Sequence, residues 1–92
     1  MKVVLDARAV DDLQVVFDWI AADSPRAAEV VVSRILDSVE RLGAFPEMGR
    51  NGRDAGTREW VVPGLPYIAV YEVRAESDQV VILAVFHGAH DR

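Results

Sequence analysis

The sequence predicts an α+β domain: a short strand, then two helices, then three strands. Three observations predict it. Apolar residues recur at helical spacing in two blocks between positions 10 and 42, separated by a Ser-Pro break. Three runs rich in β-branched and aromatic residues follow, at 57–62, 67–73 and 79–87, with turn-forming residues between them. A brief β-branched run, Val3-Val4-Leu5, precedes the helices. Ninety-two residues make one domain, and 51% hydrophobic content is enough to give it a core and some apolar surface for a partner.

The first helix is expected to begin after Asp6, a suitable N-cap, with Asp11 and Asp12 near its positive end. Val10, Leu13, Phe17 and Ile20 recur on one side, with Val16 beside them, and the helix should end near Ala22. Ser24 and Pro25 then form a restart signal. The serine caps, and the missing N–H of proline is harmless in the first turn. Ala28, Val31, Val32, Ile35, Val39 and Leu42 form the apolar stripe of the second helix, with Arg34, Asp37, Ser38 and Arg41 facing away and Val30 exposed on the far side. Gly43 closes this helix and Pro46 prevents its continuation. Two helices with so short a break form an antiparallel hairpin.

Residues 49–56, Gly-Arg-Asn-Gly-Arg-Asp-Ala-Gly, read as loop. Arg58, Trp60 and Val62 share one face of the strand that follows, and Pro63 to Pro66 turns the chain into the next. Ser77-Asp78 is the last turn. Val80 to Phe86 is apolar on both faces, as expected of a central strand buried on both sides. One side of the sheet must meet the helix hairpin, so apolar positions on the other are expected to await a second chain.

There is no cysteine, which removes disulfides, thiolate metal sites and thiol nucleophiles. Neither the first residues nor any later run has the length of a signal core or a membrane span, so a cytoplasmic protein that does not enter membranes is expected. Net charge is −5, and nine of the ten basic residues are arginine. That balance disfavours non-specific nucleic-acid binding, although clustered arginines can form a local positive patch.

Three groups can carry chemistry. Arg50, Arg53 and Arg58 have the forked geometry that grips phosphate or carboxylate. His87 and His90, with Arg92, sit in the tail Phe-His-Gly-Ala-His-Asp-Arg, where histidine can move protons near neutral pH. Glu47, in Phe-Pro-Glu-Met-Gly-Arg, is a candidate base. The bland reading of each is a solvated surface residue. His87 and His90 lack a third ligand for a metal, no glycine-rich phosphate loop follows a strand, and no serine sits in a nucleophile setting. No cofactor is expected.

Three stretches in order carry a resemblance across nearly the whole chain. They are IAADSPRAAEVVVSRILDSVERLGAFPEMGR, GTREWVVPGLPYIAVYEV and VVILAVFHGAHDR. Together they resemble the RelE/ParE superfamily of toxins from type II toxin–antitoxin modules, with its helical hairpin, Pro-x-x-Gly-Arg exit, Pro-Gly-Leu-Pro-Tyr connector and His-Gly-Ala tail. The resemblance implies a helix hairpin on one face of a twisted, mainly antiparallel sheet of about four strands. It implies a cognate antitoxin whose flexible tail folds onto the toxin, and DNA contact only through that antitoxin. RelE-like members cut mRNA in the ribosome, and ParE-like members inhibit DNA gyrase. For a nuclease, the implied set is Glu47, Arg58 and His87. Yet Glu72 and His90 stand where many relatives carry arginine. With the acidic balance, this favours the ParE-like reading, in which Arg50, Arg58, Trp60, His87, His90 and Arg92 contact a protein target. The alternatives are a ribosome-dependent endoribonuclease and a non-toxic module in operon autoregulation.

Overall fold

A computed structural model describes residues 1–89. In chain order the elements are β1 (Lys2–Leu5), α1 (Ala7–Ala21), α2 (Pro25–Glu40), β2 (Arg50–Asn51), β3 (Arg58–Val61), β4 (Tyr67–Arg74) and β5 (Gln79–His87). A 3-10 turn, Arg41–Gly43, extends α2, and another, Ala75–Ser77, joins β4 to β5. The strands form one sheet in the order β1-β5-β4-β3-β2. β1 runs parallel to β5, and every other pairing is antiparallel. The expected architecture is therefore present, with one addition. Within the segment read as loop, Arg50 and Asn51 pair with Glu59 and Arg58 as a fifth, two-residue strand.

The helix break is built as its residues dictate. Ser24 is extended, and its Oγ accepts the Ala27 N–H at 3.2 Å, with Pro25 in the first turn of α2. Asp6 occupies the N-cap position of α1 but makes no side-chain cap bond. Asp12 sits beyond the first turn and accepts the Val85 N–H of β5 at 2.9 Å, so it ties helix to sheet rather than serving the dipole. The buried stripe of α1 is Ala9, Leu13 and Val16, with Ile20 partly buried, whereas Val10 is half exposed. The expected stripe was one residue out of phase at its start, because the small Ala9 carries the contact that Val10 was assigned. Val30 is exposed as expected.

The Pro63–Pro66 connector is a tight turn. Leu65 N–H bonds Val62 O at 3.2 Å, and Gly64 has φ +78°, the conformation a type II turn needs after proline. In β5, Ile82 faces Tyr71 and Ala84 faces Val70, which leaves Leu83 as an extra, bulged residue. The bulge restores the alternation so that Val80, Ile82 and Val85 all join the core under the helices. That core also holds Ile35, Leu42, Val62 and Tyr71, each with 2% exposure or less.

The far face of the sheet corrects an expectation. Val70 and Val81 are each 4% exposed and Ala84 is 8%, so its centre is already closed without a second chain. Arg53, Asp54 and Thr57 of the loop after β2, with Asp6 and Arg8, wall a depression whose floor is Val70, Leu83, Ala84 and Phe86. The most exposed large apolar groups are Trp19 and Val15 on α1 and Phe45 after α2, while on the sheet Val61 of β3 is half exposed.

Candidate functional site

Two places concentrate the residues of interest. The first is the corner where the 44–49 segment meets β3 and β4. Tyr71 is fully buried there, and its hydroxyl donates to Pro46 O at 2.7 Å and accepts the Gly49 N–H at 2.9 Å. Arg58 reaches over the same segment: Nη1 donates to Gly49 O at 2.8 Å and to Glu47 O at 3.4 Å. Gly49 fits only without a side chain, since a Cβ would come within 2.7 Å of both the Tyr71 hydroxyl oxygen and Glu59 O. Burial pushes the Tyr71 phenol above its ordinary value of 10.0, opposed by the Gly49 N–H and the Arg58 charge. The phenol is thus a neutral clasp rather than a proton carrier at neutral pH.

Trp60, next on the same face of β3, donates its indole N–H to Ser38 Oγ at 2.9 Å. This bond explains why Ser38 is buried, although it was expected to face away from the core. Arg50 lies on the opposite face of the sheet and pairs with Glu59, Nη2 to Oε1 at 3.3 Å. Arg53 borders the depression on that face.

The second place is the end of β5. β1 pairs only with Gln79–Ile82, so from Leu83 onward β5 has a strand neighbour on the β4 side alone. α1 lies beside this stretch. Between them is an apolar groove of about 390 Å³ lined by Asp12, Val15, Val16, Trp19, Tyr67, Val85, Phe86 and His87. His87 meets Tyr67 edge to face, with ring centroids 5.5 Å apart, and its Nδ1 accepts the Ala89 N–H at 3.1 Å. Trp19 is 78% exposed and Val15 is 67% exposed.

Glu47, Arg58 and His87 are not brought together. Arg58 meets the backbone carbonyl of Glu47, and the Glu47 residue itself is exposed. Arg58 sits opposite Tyr71, whereas His87 sits opposite Tyr67. The two rows lie four residues apart on β4, about 13 Å along the strand, and β3 and β5 are two strand spacings apart, roughly 10 Å. Arg50 is on the other face. His90 and Arg92 lie outside the described residues. Among the described residues no three His, Asp or Glu side chains cluster as metal ligands, and no buried side-chain polar atom lacks a partner. No helix among them is long and apolar enough to cross a membrane.

Sequence reasoning missed Trp19, Val15, Ser38 and the role of Tyr71. A signal for the first two existed: they are an i, i+4 apolar pair on the side of α1 away from the Leu13–Ile20 stripe.

Residues 3–92 match the family model described as the ParE toxin of the type II toxin–antitoxin system parDE. A curated relative, "Putative toxin Y4kP" of Sinorhizobium fredii, is 41% identical over 81 residues, spanning 88% of this chain and 81% of the relative. Among solved structures, the chromosomal ParDE system from P. aeruginosa superposes with a TM-score of 0.83 at 23% identity, covering 95% of each chain. The intact RelBE toxin–antitoxin complex of E. coli does so with a TM-score of 0.70 at 15% identity, covering 99% of this chain and 98% of that one. At those identities the structures show a shared fold. With a family model covering almost the whole sequence, the conclusion is direct: the chain belongs to the ParE family of toxins of type II toxin–antitoxin systems.

Proposed function

We propose that this toxin acts by protein contact on DNA gyrase and is neutralised by a cognate antitoxin in a hetero-oligomeric complex. The observation that carries the reading is the commitment of Arg58. A ribonuclease of this fold needs a base for the 2′-OH, cations for the crowded phosphate and an acid for the leaving oxygen, all within reach of one bond. Here the guanidinium holds two backbone carbonyls, and His87 stands four residues along the sheet and two strands across from Arg58. The −5 charge adds repulsion from the RNA phosphates that surround any ribosomal site. Arg50 and His87 are the surface-facing contact residues among those described, and His90 and Arg92 extend that set beyond them. Arg58 and Trp60 serve the contact from beneath, by fixing the segment around Pro46 and the pose of β3.

The test is expression without the antitoxin, with gyrase supercoiling by the purified toxin measured in parallel. The expected result is induction of the SOS response and loss of supercoiling. Normal supercoiling together with cleavage of translated mRNA in primer extension would overturn the reading in favour of a ribonuclease. Unimpeded growth under strong induction would overturn it in favour of an autoregulatory module.

A further inference from the structure

Residues Phe45 to Met48 form a turn at the corner held by Tyr71 and Arg58. Phe45 O accepts the Met48 N–H at 3.1 Å, with Pro46 in the second position that its fixed φ favours. The backbone is tied at each residue. The Phe45 N–H donates to Arg41 O at 3.0 Å, Pro46 O accepts the Tyr71 hydroxyl, and Glu47 O accepts Arg58 Nη1. The N–H and the carbonyl of Gly49 go to the same two side chains.

What the turn presents is apolar. Phe45 is 64% exposed and Met48 is 38% exposed, with the exposed Glu47 between them in the chain. Together with Ala44 and Pro46 they line an open cup. The clasp engages only backbone groups of the turn, so its hydrogen bonds would close equally over polar side chains at 45 and 48. An aromatic ring carried on a backbone already fixed loses little freedom when it binds. Phenylalanine and methionine are also enriched where proteins meet.

Charge and continuity select the occupant. The Glu47 carboxylate on the turn would repel nucleic acid and anionic lipid. In a two-fold contact with a second copy it would meet its own image. The turn leads through Gly49 into β2, whose first residue is Arg50, a contact residue of the proposed function.

We propose that this turn anchors the contact with gyrase. Phe45 and Met48 enter an apolar notch on the enzyme, and Tyr71 and Arg58 are positioning residues that hold the turn in its binding pose beforehand. The partner rests on the gyrase reading, whereas the anchor is a separate statement about which residues make the contact.

The test is supercoiling by purified gyrase, titrated with wild-type toxin and with variants shown to be folded by circular dichroism at the assay temperature. Phe45→Ser should raise the concentration needed for half inhibition by about tenfold or more, as for an aromatic anchor. Met48→Ser should raise it less, and Phe45→Leu, which stays apolar, should keep most of the inhibition. Tyr71→Phe keeps the ring and the exposed surface but frees Gly49, so it should weaken inhibition while still folded. Full inhibition by Tyr71→Phe would overturn the positioning role. Inhibition by Phe45→Ser equal to that of the wild type, or equal loss in Phe45→Ser and Phe45→Leu, would overturn the anchor and leave the gyrase reading standing. Absence of inhibition by the wild type itself would remove gyrase as the partner and overturn both. Sedimentation showing a wild-type dimer that Phe45→Ser dissolves would give the turn to a second copy and overturn the proposal.

Discussion

The two tryptophans of this chain mark two kinds of surface. Trp60 is tucked between β3 and α2 with its N–H bonded to Ser38. Around it, Tyr71 and Arg58 between them make four hydrogen bonds to the backbone of the 46–49 segment. Trp19 stands in water on α1 above an apolar groove. Side chains of similar chemistry thus do opposite work. In the corner they satisfy backbone groups that would otherwise be stranded, which makes the corner a matter of stability. Beside the groove they leave apolar area uncovered. The arginine and the tryptophan on one face of β3 are, in this chain, parts of a clasp.

The contrast breaks most easily at Trp60. Trp60→Ala removes a large partly buried ring and the partner of Ser38, so it should cost about 3 kcal/mol in denaturant unfolding. A loss under 1 kcal/mol would place Trp60 with Trp19. Next is Tyr71→Phe, which leaves the buried Gly49 N–H without its acceptor, at a cost of about 2 kcal/mol. The same residue predicts a pH signature. Its folded pKa lies above the unfolded value of 10.0, so the neutral phenol is the form the fold favours. That stabilisation is complete below about pH 10 and is lost as pH rises through the folded value. Wild-type stability should therefore fall at alkaline pH more steeply than that of Tyr71→Phe, and parallel curves would contradict the clasp. Ser38→Ala should cost about 1 kcal/mol by removing the indole acceptor. Smallest of all, Trp19→Ala should change stability by less than about 0.5 kcal/mol, as for an exposed helix position away from the core.

Much of this fold was legible in the residues. Ser24-Pro25 announced the helix restart, Pro63-Gly64 the turn, and the apolar run 80–86 the central strand. Three things were not. The strand at Arg50–Asn51 has no signature of its own, because two residues become a strand only through the partner they meet. The bulge at Leu83 keeps a uniformly apolar run apolar, so the sequence carries no mark of it. The phase of α1 was ambiguous because apolar residues lie on both of its sides, and periodicity reads the stripe without saying which side meets the sheet. The candidate site suffered from the same limit. Arg58 and Trp60 were legible as unusual neighbours, but the carbonyls and hydroxyl they bond come from segments 9 to 22 residues away. The closure of the far sheet face was equally hidden, since it depends on where the 53–57 loop settles.

The account turns on Trp19 standing in water on α1 while Trp60 is held in the corner by Ser38. Trp60→Phe leaves Trp19 as the sole tryptophan of the two in the sequence, so the indole emission of that variant reports the groove alone. The prediction is a long-wavelength emission typical of a hydrated ring in the isolated protein. Emission already at short wavelength in the isolated protein would contradict it.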